Sequence, residues 1–77
     1  MRIKLKNGDT TPIEAWCMRH LGARLYWMHD RRGGTAWRIR KTVDMKNRHC
    51  WELEIDNEHQ ALLLMLKFSN EILERNI

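Results

Sequence analysis

The spacing of apolar and polar residues divides the chain into six elements. The opening "RIKLK" alternates strictly: Ile3 and Leu5 point one way, and Arg2, Lys4 and Lys6 point the other. That is the period-two pattern of a half-buried strand, closed by the turn-forming "NGD". Its cationic outer row suits an edge strand, where lysines discourage pairing with a second molecule. In "TTPIEAWCMRHLG" the period changes, because Ile13, Trp16, Cys17, His20 and Leu21 recur at three- and four-residue steps and form one apolar stripe of a helix. Thr11 is placed to cap this helix, Pro12 sits where its missing N–H costs nothing, Glu14 completes a capping box, and Gly22 stops the helix.

Three strands are expected next. "RLYWMH" is rich in β-favouring aromatics. "TAWRIRKTV" sets Trp37, Ile39 and Val43 against Arg38 and Arg40. "HCWELEI" sets Trp51, Leu53 and Ile55 against Cys50, Glu52 and Glu54. The glycines of "DRRGG" supply the positive φ of a hairpin turn between the first two, and the polar "DMKNR" joins the second pair. In the resulting meander Arg38 and Arg40 lie across from Glu52 and Glu54.

Asn57 followed by Gln60 opens a second helix, whose stripe runs through Leu62, Met65, Leu66, Ser69, Ile72 and Leu73. Leu63, Leu64 and Phe68 widen it beyond one face. The helix therefore either packs deeply on the sheet or meets another molecule, a homodimer being one such arrangement. A strand over "ALLLMLKF" is disfavoured because unbranched leucines prefer helix. The expected fold is α+β, a β-α-β-β-β-α domain with an antiparallel sheet packed against two helices. Its expected core is Trp16, Leu21, Trp37, Ile39, Trp51, Leu53, Leu62, Met65 and Leu66.

Size and composition narrow the class further. Seventy-seven residues, 43% hydrophobic and 31% charged with one proline, describe a single globular domain spanning residues 1–77. The longest apolar run, residues 61–66, is far short of the ~18 residues of a membrane span, and no apolar stretch follows the basic start as in a secretory signal. A cytoplasmic location with no membrane partner is the expectation. Cys17 and Cys50 then read as reduced thiols packed as small hydrophobes.

Charge is uneven: residues 1–50 hold twelve Lys and Arg against four Asp and Glu, whereas residues 51–77 hold two against six. The molecule has either a basic and an acidic face or two halves that interleave in space.

Chemistry-bearing motifs are few. Cys17 and His20 have a ligand-like spacing and His49–Cys50 adds two donors, enough in number for tetrahedral zinc. Neighbours on a strand point to opposite faces, however, and Cys17 and His20 lie on the core stripe, so neither a metal nor any other cofactor is expected. No nucleophile motif, phosphate-cradling loop or metalloprotease signature occurs, and His29–Asp30 are too close in sequence to orient one another for acid–base work. The expectation is a non-enzymatic protein.

Binding chemistry concentrates in "WMHDRRGGTAWRIRK", residues 27–41, with Tyr26 beside it. Tyr26, Trp27, Arg31, Arg32, Arg38, Arg40 and Lys41 are the candidate contact residues; Lys46 and Arg48 extend the basic run. The arginines could pair with phosphates and the aromatic rings stack on bases, as an RNA- or DNA-binding module requires. The α-β-β-β-α part of the order resembles that of double-stranded-RNA-binding domains and of some small RNA-cleaving toxins. The lysine cluster opening the last helix of those domains is replaced here by the acidic "DNEHQ", and the G-S-H strand of the toxins is missing.

Tryptophan and arginine also dominate protein interfaces, and a basic Trp/Arg hairpin beside an acidic helix start suits a partner protein of acidic or mixed charge. With Trp16, Trp37 and Trp51 in the core, Trp27 or Tyr26 is left for the surface. In scale and style the chain resembles the accessory proteins of phages and mobile elements, anti-defence inhibitors among them.

Overall fold

The structure, a computed structural model, describes the backbone of residues 1–76 and the side chains of residues 1–73. The elements are β1 (Arg2–Leu5), α1 (Thr11–His20), β2 (Tyr26–Trp27), β3 (Arg31–Gly33), β4 (Trp37–Val43), β5 (His49–Ile55), α2 (Glu58–Lys67), one 3-10 turn (Ser69–Glu71) and β6 (Ile72–Asn76). Among the described residues the strands form one six-stranded antiparallel sheet in the order β2-β3-β4-β5-β1-β6. Side chains alternate across it. One face carries Ile3, Leu5, Trp37, Ile39, Leu53 and Ile55, all buried, and packs with Ile13 and Cys17 of α1 and Ala61, Leu64 and Met65 of α2. The other face is charged. The expected α+β sandwich of one sheet and two helices is the observed fold.

Five local expectations are corrected. First, β1 is interior, not an edge. It lies between β5 and β6, and Arg2 meets Glu54 of β5 in register, with Nε 3.5 Å from Oε2. A cationic outer row is tolerated inside the sheet because the neighbouring strand supplies carboxylates.

Second, α2 ends at Lys67 instead of running through Leu73. Phe68 leaves helical geometry at φ −114 and ψ 36, the 3-10 turn follows, and Ile72 begins β6, tied early by the Lys6 N–H donating to the Glu71 carbonyl at 2.9 Å. A sheet edge beside β1 offers a β-branched Ile72 more backbone pairing than a frayed helix end does.

Third, α2 turns a different face inward. Ala61, Leu64 and Met65 are buried, whereas Leu62 and Leu66 are 40% and 78% exposed. Ala61 lets the helix approach closely, so the buried stripe is rotated by about one residue from the leucine-rich one. Trp16 and Leu21 are partly buried, packed against the core's margin, and Val43 is exposed.

Fourth, Thr11 is the first helical residue, not the cap. Its N–H donates to Asp9 Oδ1 at 3.0 Å, while Thr10 occupies the cap position without capping through its side chain. The α2 cap is as expected: Asn57 Oδ1 accepts from the Gln60 N–H at 3.0 Å.

Fifth, "DRRGG" is not a turn. Its last three residues before Gly34 are β3, and neither Gly33 nor Gly34 has positive φ; only Gly22 among the glycines does, at φ +124. Gly33 serves close approach instead, since a Cβ there would lie 2.6 Å from the Trp37 carbonyl oxygen and 3.1 Å from the Tyr26 hydroxyl.

Candidate functional site

The stretch 24–41 folds as β2, β3 and β4, with β2 the outermost strand. The Met28 N–H donates to the Arg31 carbonyl at 2.8 Å across the first turn, and the Gly34 N–H to the Trp37 carbonyl at 2.9 Å across the second. Tyr26 pairs with Gly33 and Trp27 with Arg32, so Trp27 and Arg32 share the helix-covered face while Tyr26 and Arg31 share the open one. The basic residues of this stretch therefore belong to two different surfaces.

On the helix side Arg32 reaches α1. Its Nε donates to Glu14 Oε1 at 2.7 Å and its Nη2 to Glu14 Oε2 at 3.0 Å, a bidentate pair. Thr10 Oγ1 donates to Glu14 Oε2 at 2.7 Å and accepts from Arg32 Nη2 at 3.3 Å. The remaining Nη1 donates to the carbonyls of Met28 and His29, and the guanidinium carbon lies 4.9 Å over the Trp51 ring. Both side chains of the pair are close to fully buried, 11% exposed for Arg32 and 7% for Glu14. Arg32 is thus not an exposed hairpin tip: it clamps the β2–β3 hairpin to α1. A groove of about 460 Å³ opens beside this clamp, walled by Met18, Arg24, Trp27 and Trp51. The Lys41 ammonium also lies over the Trp51 ring, 5.5 Å from its centroid.

On the open face the arginines are mostly matched by carboxylates. Arg38 Nε donates to Glu54 Oε1 at 2.9 Å and its Nη2 pairs with Asp56; Arg40 pairs with Glu52 at 2.8 Å. The alternation of β4 and β5 puts these residues on one face, as expected, and the observed register sets Arg38 against Glu54 and Arg40 against Glu52. The Asp56 and Glu54 contacts hold the Arg38 guanidinium more firmly protonated, and Arg38 in turn holds the Glu54 carboxyl below its ordinary value. At the β4–β5 turn Asp44 accepts from the backbone N–H groups of Arg48 and Lys46 and from Arg48 Nε at 3.0 Å, which depresses its pKa.

Arg31 differs. It lies directly across from Arg40, a like-charge pair, and its Nε contacts the sulfur of Met28 at 3.3 Å in place of a carboxylate. A hollow of about 220 Å³ separates Tyr26 and Arg31 from the Arg38–Glu54 and Arg40–Glu52 pairs.

Four consecutive exposed apolar residues lie at β2, where Leu25, Tyr26, Trp27 and Met28 are 67%, 39%, 63% and 47% exposed; Leu62, Leu63 and Leu66 form a second exposed set on α2. Trp37 is fully buried, with its Nε1 donating to the Gly22 carbonyl at 3.0 Å, and Trp51 is buried. Trp27 and Tyr26 are the exposed aromatics, as their places in the pattern implied. Leu25 and Met28 were missed by sequence reasoning. Four consecutive apolar residues in a strand cannot all face one core, and that excess was the signal.

Cys17 and Cys50 are buried on opposite sides of the sheet, so they neither form a disulfide with each other nor ligate together. Burial, reinforced by the nearby Glu14 charge, pushes the Cys17 thiol up to about 12. His20 stacks on Trp16 with ring centroids 4.5 Å apart, and His49 lies at the exposed start of β5. Among the described residues no three His, Cys, Asp or Glu side chains form a group that could hold a metal ion.

Fold and site together define a class: a small α+β domain with a charge-matched sheet face and one apolar edge strand. No protein-family model, curated protein or solved structure matches the chain.

Proposed function

We propose that this domain is a non-enzymatic binding protein that engages another protein through the β2 edge and the groove beside it. It adapts or inhibits its partner by occupying part of the partner's surface, in the manner of a small accessory protein. The observation that carries this reading is a contrast within one stretch. Leu25, Tyr26, Trp27 and Met28 are apolar and exposed, while Arg32, Arg38, Arg40 and Arg48 are engaged with Glu14, Glu54 and Asp56, Glu52 and Asp44. Phosphate binding would have to compete with those carboxylates, whereas desolvating aromatic and methionine side chains is how protein interfaces gain most of their affinity.

Affinity capture from the native host, with and without nuclease, tests the reading when the intact protein is compared with Trp27→Ala and with the pair Arg31→Ala and Lys41→Ala. Capture should survive nuclease, fall most with Trp27→Ala, and depend on salt mainly through its association rate. Binding of RNA or DNA at ~150 mM salt, with a log-linear salt slope near −0.9 per phosphate contact that the paired change flattens, would instead establish a nucleic-acid-binding module.

A further inference from the structure

We infer that the β2 edge accepts an extended, acidic segment of the partner protein as an added strand, with acidic side chains of that segment meeting Arg31 and apolar ones covering Trp27. The inference rests on the protein-binding reading above and names the chemistry of the partner. It begins from the sheet. β2 is the terminal strand, and no strand lies outside it among the described residues. Edge strands are ordinarily protected by charges, proline or a covering element. Here the edge is short but presents Leu25, Tyr26, Trp27 and Met28 to solvent.

An added strand would alternate its side chains between the two faces as β2 does. On the helix side they would meet Trp27 and the groove walled by Met18 and Trp51. On the open side they would meet Tyr26, Met28 and Arg31, which line a hollow of their own. Arg31 stands one strand in from the edge, about 4.8 Å, a distance its side chain readily spans. Among the described residues it has no carboxylate partner, whereas Arg40 across from it is already matched by Glu52, so Arg31 is the cation that an incoming carboxylate would meet. On the helix side the groove also holds Asp9, Glu14 and Arg32; with Arg32 matched by Glu14, the cations Arg24, Arg31 and Lys41 stand against Asp9 and Asp30, so the rim is basic by a single charge. The same charges argue against a second copy of this chain as the occupant, because pairing β2 with itself would bring two sets of Arg24 and Arg31 together.

The test uses the intact domain, isotopically labelled, titrated with an extended peptide that alternates valine and glutamate. The controls are the matching valine–lysine peptide and a peptide of the first composition with its valines and glutamates in separate blocks. Backbone amide shifts should centre on Leu25–Met28 for the alternating acidic peptide, with affinity about tenfold or more above either control. Arg31→Glu should reverse the preference between the acidic and basic peptides while leaving the domain folded. Shifts centred elsewhere, equal affinity for the acidic and basic peptides, or no saturable binding would overturn the inference. These results are separable from failure of the protein-binding reading. A partner captured through Trp27 yet indifferent to Arg31→Glu would leave that reading standing and remove this one.

Discussion

At the scale of single residues, Arg32 and Glu14 do most to shape the site while contributing least to its surface. Glu14 is buried in a carboxylate's least favourable setting and is stabilised by the bidentate guanidinium and the Thr10 hydroxyl. Arg32→Ala would leave that carboxylate with Thr10 and the more distant Arg24, 3.7 Å away, and should cost about 3–5 kcal/mol in urea denaturation. Replacing both members by apolar residues, Glu14→Leu with Arg32→Met, should recover most of that loss, because the cost lies in stranding one buried charge rather than in losing the pair. Cys17 obeys the same physics in a neutral form. With its thiol pushed up to about 12 and no exposed surface, it should resist alkylation of the native protein at mildly alkaline pH and react only once the chain is unfolded.

At the scale of elements, β2 and β5 contrast in what a tryptophan does. Trp51 of β5 is 6% exposed and is capped by Arg32 and Lys41. Trp51→Ala should therefore cost about 3–5 kcal/mol, enough to unfold a domain this small, as thermal melting would register. Trp27→Ala should change stability by no more than about 0.5 kcal/mol while lowering partner affinity by about tenfold or more, measured by calorimetry with the captured partner. A Trp27→Ala protein that melts far below the parent would place Trp27 in the fold rather than at an interface.

At the scale of the whole molecule, part of the uneven charge of the chain is offset by topology. β4 and β1, from the basic half, flank β5, from the acidic half, so Arg38, Arg40 and Arg2 meet Glu54, Asp56 and Glu52 across strands. Of the two readings of the charge pattern, the interleaved one is observed. This lattice makes stability depend on acid. Glu54 and Asp44 sit below their ordinary values of 4.5 and 3.8 because of Arg38 and of the Arg48 backbone N–H respectively. A carboxylate depressed in the folded state adds stability above its unfolded pKa and loses it as pH falls through the folded one. The melting temperature should therefore hold down to about pH 5 and decline steadily below it. High salt should blunt the decline by screening these exposed pairs. A flat profile from pH 5 to pH 2 would show that the charge lattice contributes nothing measurable.

Local periodicity determined much of this molecule. The alternation of residues 2–6, 37–43 and 49–55 and the punctuation of Pro12 and Asn57 specify strands and helix starts because those preferences act within a few residues. The same alternation put Arg38 and Arg40 on one face with Glu52 and Glu54, and the apolar stripes that hold Trp16, Trp37 and Trp51 left Trp27 or Tyr26 for the surface. What only the tertiary structure decided involves partners distant in sequence. Whether residues 68–76 continue a helix or return as β6 depends on a free edge beside β1. Which leucines of α2 turn inward depends on how closely Ala61 lets the helix approach the sheet. Whether Arg32 grips a ligand or Glu14 depends on a contact spanning 18 residues of chain, between two elements whose own patterns are each complete without it. No periodicity encodes such a contact, because its energy comes from burying both charges together, and burial is a property of the packed molecule.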